Sequence, residues 1–230
     1  LGLDEADLHL NLGIALQELG RPEEAIASYS EALARDPGHI RARWHRSLAL
    51  LLLGRFGEAW DAYEARLRQI EPPPRSFPVR RWQGEDLPDG TLLVHAEQGI
   101  GDEIMFASCL PDALACVGHC VIDCHPKLAP LFRRSFPEAV VHAGLQTDPV
   151  DWLKDYQVDA EIPSGSLPGI FRRSRSQFPA HRGYLRADPH RVEKWRARLE
   201  ELGNGLKVGI SWRGGTLRSR GPLRSIDPRW

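Results

Sequence analysis

The sequence predicts an α plus α/β architecture, with helical hairpins over residues 1–70 followed by a Rossmann-like parallel α/β domain. Three observations lead there. The first seventy residues repeat at a spacing of 34. A stretch with five prolines then breaks every periodicity between residues 71 and 89. Beyond it, short apolar runs alternate with helical patterns, which is the signature of βαβ units and a parallel sheet.

Within the repeat, Gly20 recurs as Gly54, Ala25 as Ala59, Tyr29 as Tyr63 and Leu16 as Leu50. Leu8, Leu12, Ala15, Leu16 and Leu19 form an apolar stripe at helical spacing. Gly20 ends that helix, and Pro22 suits the first turn of the next, where its missing N–H costs nothing. Small Ala25 and Ala32 let two helices approach closely beside Tyr29, and Pro37 closes the unit. Leu12, Gly13, Gly20, Ala25, Tyr29, Ala32 and Pro37 resemble the tetratricopeptide repeat. The second copy departs from it, with Ser47 in place of the glycine and Arg66 in place of the second alanine, while GEAWDAYEARL keeps the second-helix pattern. The resemblance implies a peptide or protein partner. Asn11 stands where some family members hold peptide backbone, although a solvated or capping Asn is the commoner case. About three repeats are normally needed for stability, so two are expected to pack on the downstream part of the chain or on further repeats upstream.

The stretch 71–89 reads as a linker in turn and polyproline conformations. Trp82 would be costly to leave in water and is expected to dock the linker on a neighbour. The α/β domain then covers 90–187. TLLVHA is its first strand, EQGIGD a loop, and Asp102 to about Val117 a helical run. HCVIDCH, PKLAPLFRRSF and AVVHAG come next as strand, helix and strand. Residues 188–230 open on a helix from Asp188 to Leu202, capped by Asp188, with Val192, Trp195 and Leu199 on one face and Trp195 expected in a core. LKVGISW is expected as another buried strand leading into RGGTLRSRGPLRS.

Composition narrows the function. The 230 residues have a net charge of −1, but residues 1–171 carry −11 and residues 172–230 carry +10. A basic end on an acidic body points to an anionic ligand, phosphate or nucleic acid. Aromatic interleaving among the late arginines is thin, which argues against nucleic acid. No apolar run approaches the roughly 20 residues of a membrane span, and no basic-apolar leader opens the chain. Its start at Leu1 reads as an excerpt. Cys109, Cys116, Cys120 and Cys124 fall within sixteen residues, without a C-x2-C pair. They read as reduced, structural thiols in a cytoplasmic protein, with Cys120 and Cys124 on one strand face, rather than as a zinc site or a disulfide framework.

The loop EQGIGDEIMF sits after a strand and at a helix N-terminus, where free N–H groups favour an anion. Gly99 and Gly101 suit a tight turn or the close approach of a ligand beside Gln98. A dinucleotide site would need glycine in place of Ile104, and Asp102 and Glu103 would repel a pyrophosphate, although Asp123 lies where a ribose-binding acid would. Asp102 suits two roles: a general base taking a proton from a hydroxyl, or a plain helix cap.

HAEQGIGDEIMFASCLP and VGISWRGGTLRSRGPLRSI, behind tetratricopeptide repeats and a Trp-containing linker, resemble bacterial tetratricopeptide-repeat proteins with a glycosyltransferase family 9-like domain. That domain is similar to the ADP-heptose:lipopolysaccharide heptosyltransferases, and repeats beside it also resemble the protein O-GlcNAc transferases. The resemblance implies the GT-B fold, with 90–187 as the acceptor-side half and 188–230 as the start of the donor-side half. It implies Asp102 as catalytic base, with Gln98, Gly99 and Gly101 in the acceptor loop. It also implies Ser211, Arg213, Gly214, Gly215, Thr216 and Arg224 as contacts of a donor diphosphate. A charged fork, backbone donors and a hydroxyl in that loop suit a phosphate, and a basic loop without a ligand would look the same. The implied activity is metal-independent sugar transfer from a nucleotide-diphosphate donor, bound as substrate with no resident cofactor, to a glycan or polypeptide hydroxyl. Most of a second Rossmann-like half would have to come after Trp230, so the 230 residues alone are expected to catalyse little. The alternative is an interaction scaffold in which the repeats bind partners and the α/β domain is catalytically idle.

Overall fold

Asp4 accepts the Ala6 N–H and starts α1 (Glu5–Glu18), which pairs with α2 (Pro22–Arg35); α3 (Ile40–Leu52) and α4 (Phe56–Tyr63) repeat the hairpin. The computed structural model describes residues 4–69, 73–180, 183–211 and 226. The two hairpins turn alike. Gly20 and Gly54 both have φ of 73°, in the left-handed region that suits glycine. Arg21 N–H reaches Leu16 O, and Arg55 N–H reaches Leu50 O, each at 2.9 Å. Ala25, Ala32, Ala42, Ala49 and Ala59 are buried between the helices with Leu10, Tyr29 and Leu50. A side chain at Gly13 would put its Cβ 2.5 Å from the Tyr29 ring, which is why the first repeat needs glycine there. Ser47 takes the equivalent place in the second repeat, buried, with its hydroxyl donating to Trp44 O.

The α/β portion is a five-stranded sheet in the order β1-β5-β2-β3-β4, with every pair parallel. Its strands are β1 (Arg80–Arg81), β2 (Leu87–His95), β3 (Val117–Cys124), β4 (Val140–Ala143) and β5 (Ala160–Pro163). Burial on both faces explains the continuous apolar runs in β2 and β3. Leu92, Val94, Cys120, Ile122 and Cys124 pack on one side with Trp82, Leu110 and Phe132. Leu93 and Val121 point the other way, against Phe77 and Leu153.

Several expectations change here. Residues 73–89 are more than a linker: Phe77 covers one sheet face, Trp82 is buried against the other, and β1 adds an edge strand. The anticipated docking of Trp82 is thus present, with its indole N–H donating to Glu85 O at 2.8 Å. The helical run after the loop breaks into α5 (Ile100–Phe106), one 3-10 turn (Ala107–Cys109) and α6 (Leu110–Cys116). Pro111 has no N–H to continue the α-helical ladder, which accounts for the break. α7 (Ala129–Ser135) lies between β3 and β4, and α8 (Leu167–Phe171) comes after β5.

The chain divides into two units, residues 1–186 and residues 187–230. In the second, Asp188 caps α9 (Pro189–Glu200) as expected, accepting the His190 and Arg191 N–H groups at 3.0 and 3.2 Å. Trp195 is not in a core: it is 53% exposed, with the Arg198 guanidinium 5.3 Å from its ring centre. Residues 206–211 form no strand, and Leu206, Val208 and Ile210 are exposed. Alternating apolar residues make a strand only where a neighbour supplies the hydrogen-bonding ladder, and none is paired with them among the described residues.

Candidate functional site at the C-terminal edge of the sheet

In a parallel sheet, the loops that can build a site gather at the carboxyl ends of the strands. Here the loop after β2 brings Glu97, Gln98 and Asp102, that after β3 brings His125, and that after β5 brings Ser164, Gly165 and Ser166. Glu97 is fully buried, and the last turn of the repeats answers it. Arg66, in a 3-10 turn (Glu64–Arg68) after α4, donates to Glu97 Oε1 from Nε at 3.1 Å and from Nη2 at 2.9 Å. Its Nη2 also reaches Ser166 Oγ, and its Nη1 reaches Glu64 Oε1, both at 2.8 Å. Burial would push the guanidinium pKa down, but the charges of Glu97 and Glu64 outweigh it and hold Arg66 above its ordinary value. Gly165 donates its N–H to Glu97 Oε1 at 3.2 Å, and a Cβ there would stand only 2.4 Å from that oxygen.

Gln98 is a bridge: its Nε2 donates to Glu97 Oε1 at 3.0 Å, and its Oε1 accepts the Tyr63 hydroxyl at 3.2 Å. Gly99 is the N-cap residue of α5 at φ −78°, an angle open to any residue. Its N–H donates to Asp102 Oδ2 at 3.1 Å. Asp102 therefore sits three residues into the helix motif rather than at its cap, reaching back to the N-cap backbone. Gly101 faces open space, with nothing within 4 Å of where its Cβ would be. Neither glycine lies at a positive φ, so a tight turn through left-handed backbone is not what they provide.

Burial raises the Asp102 pKa; the Gly99 N–H works against that, and the Glu97 charge adds to it. Glu103 is pushed up to about 7, chiefly by burial, although it accepts the His125 N–H at 2.9 Å. With Glu97, Asp102 and Glu103 together, the start of α5 is acidic, which disfavours the anion that a helix N-terminus would otherwise attract. Asp123 is engaged on both sides, by Arg75 and by His142 Nδ1 at 2.9 Å, and its side chain is fully buried. That leaves it no face for a ribose.

Asp102 also lines a cavity of about 410 Å3 between the second repeat and the α/β body. Ser211 lies exposed in the second unit, and the expected donor contacts Arg213, Gly214, Gly215, Thr216 and Arg224 fall outside the described residues. Cys109, Cys120 and Cys124 are buried, and burial pushes their thiols up to about 11, 12 and 12. Among the described residues, no group of three or more His, Cys, Asp or Glu is placed to hold a metal ion. No helix among them is long and apolar enough to cross a membrane.

Sequence reasoning missed Glu97 and Gly165, and read Glu103 only as a charge that would repel a pyrophosphate. Arg66 did carry a signal, as the residue that breaks the second repeat where Ala32 obeys the first.

The class defined by the N-terminal hairpins is the tetratricopeptide repeat, whose family model matches residues 10–73. Over 93% of its length the chain is similar to Protein FlbA of Caulobacter vibrioides, at 36% identity, and it spans 38% of that relative. A solved structure of a mutant O-GlcNAc transferase from Thermobaculum terrenum aligns at 20% identity with a TM-score of 0.27, over 52% of this chain and 24% of that one.

Proposed function

We propose that residues 90–187 form the acceptor side of a GT-B glycosyltransferase of the family 9 type, in which Asp102 is the general base for an acceptor hydroxyl. The observation that carries this reading is the position of Asp102: half-buried, raised in pKa, and on the wall of a cavity at the carboxyl edge of a parallel sheet. A carboxylate whose pKa is raised by burial accepts a proton more readily than an exposed one. The donor would be a nucleotide-diphosphate sugar, with Ser211, Arg213, Gly214, Gly215, Thr216 and Arg224 as its diphosphate contacts. The acceptor would be a glycan or polypeptide hydroxyl, in a bacterial cytoplasmic protein.

The test is sugar transfer by the full-length protein, using a panel of labelled nucleotide-diphosphate sugars. Asp102→Ala should lower transfer by roughly 10²–10⁴-fold while the circular dichroism spectrum is unchanged. Transfer at the wild-type rate would remove Asp102 from the role of base.

A second reading, an interaction scaffold, is favoured by the way the repeats are tied to the body. Trp60 Nε1 donates to Arg172 O at 2.8 Å, Arg173 pairs with Asp61 at 2.8 Å, and Arg66 reaches Glu97. A protein partner held by the repeats would then be held at a fixed position relative to the sheet edge. Absence of nucleotide release with every donor, together with partner binding by the intact repeats, would favour the scaffold.

A further inference from the structure

The cavity beside Asp102 has a lining that a base alone would not need. Phe56, Trp60 and Tyr63 form one wall, and Phe106 and Phe178 face them from the body. The rings are in mutual contact: Phe56 and Phe178 have centroids 4.7 Å apart, Trp60 and Tyr63 meet edge to face at 5.6 Å, and Tyr63 and Phe106 lie at 6.4 Å. Their polar ends are committed elsewhere. The Trp60 N–H is held by Arg172 O and the Tyr63 hydroxyl by Gln98, so these two present ring surface to the cavity. Arg172 also lines it, but its guanidinium is occupied by Asp112 at 2.5 Å and by the Phe171 and Ser108 carbonyls. Asp102 is left as the charged group able to meet a ligand.

A volume of about 410 Å3 falls within the range of small-molecule sites, which are apolar and aromatic with a few polar groups fixing orientation. It sits between two packed parts of the chain, a preferred place for such sites. Aromatic walls favour an aromatic guest by edge-to-face and offset packing. A carboxylate repels an anionic head and accepts a hydrogen bond from a hydroxyl.

We propose that this cavity binds an aromatic hydroxyl compound, with its ring against Trp60, Tyr63 and Phe106 and its hydroxyl donating to Asp102. The assignment of the hydroxyl end rests on the reading of Asp102 as the hydroxyl-holding base; the ring site does not. The same phenol chemistry is carried by a free small molecule and by a tyrosine side chain in a polypeptide.

Met105, the one methionine in these 230 residues, lines the cavity while 53% exposed, so its labelled methyl reports on the site. The experiment titrates methyl-13C-methionine-labelled protein at pH 8 with p-cresol, with toluene, and with a blocked Ala-Tyr-Ala peptide. Saturable shifts of the Met105 methyl are expected, with cross-relaxation to ring protons and an affinity for p-cresol at least tenfold above that for toluene. In Asp102→Ala that preference should vanish while toluene still binds. Peptide binding comparable to p-cresol would identify a polypeptide as the source, and p-cresol binding alone would identify a free phenol. A Met105 methyl that stays still with all three compounds would overturn the cavity as a site and leave the proposed sugar transfer standing. Preference for p-cresol surviving in Asp102→Ala would overturn the hydroxyl assignment and count against Asp102 as base.

Discussion

Arg66 donates to Glu97 across 2.9 Å, although the two lie 31 residues apart and both side chains are shut off from water. The arginine stands where the first repeat has Ala32, so one departure from the repeat pattern anchors the repeats to the loop of the α/β body. Removing only one partner strands the other charge in the interior. Arg66→Ala should therefore cost about 3–5 kcal/mol in urea denaturation. Arg66→Met combined with Glu97→Gln should cost clearly less than Arg66→Ala, because no bare charge is left behind.

Gly165 and Gly101 should respond oppositely to the same substitution. An alanine at 165 drives its Cβ to 2.4 Å from Glu97 Oε1 and 3.0 Å from Arg66 Nη2, and should destabilise the fold by about 1–3 kcal/mol. Alanine at 101 meets nothing within 4 Å and lies inside a helix, so it should be neutral or stabilising by up to about 1 kcal/mol. Urea midpoints of the two variants check both signs.

Glu103 makes stability fall as pH rises. Its folded pKa of about 7 exceeds its ordinary value of 4.5, so the folded chain holds a proton between those values that the unfolded chain has released. The destabilisation is absent below about pH 4.5, grows through pH 7 and is complete above it. It amounts to about 3 kcal/mol at 1.36 kcal/mol per pH unit. Glu103→Gln keeps an acceptor for the His125 N–H and removes the charge. Chemical denaturation at pH 5 and pH 8 should show the variant gaining on wild type as pH increases.

Thiol chemistry should separate the four cysteines. Cys109, Cys120 and Cys124 are buried and Cys116 is partly exposed. At pH 8 a thiol reagent should modify Cys116 in the native protein and all four in denaturant. Rapid native modification of Cys120 or Cys124 would contradict the packing of β3, and of Cys109 the packing of the 3-10 turn before α6.

What was legible in the sequence was whatever repeats or alternates locally. The 34-residue spacing located Gly20 and Gly54, and the apolar runs located β2, β3 and β4. β1 and β5 escaped because Arg80–Arg81 and Ala160–Pro163 are too short and too polar or proline-bearing to show a period of two. The apolar stripe of α9 was visible, but periodicity records that a face favours burial and not what covers it, so Trp195 was misplaced. Asp102 was picked out in the sequence by its place at the start of a helix after a strand. The environment of the loop was not, because the groups around Glu97 and Glu103 come from residues 66, 125 and 164–166, which no local pattern connects.

Spatial order departs from chain order in β1, which lies beside β5, eighty residues further along the chain. A shortened chain beginning at residue 90, the boundary that composition suggests, would lose Trp82 from one face of the sheet, Phe77 from the other, and the neighbour that covers the edge of β5. It would expose an unpaired strand edge and an apolar hollow together, a combination that favours aggregation. The smallest piece of this protein able to carry the sheet on its own must include the prolines that look, by composition, like the place to cut.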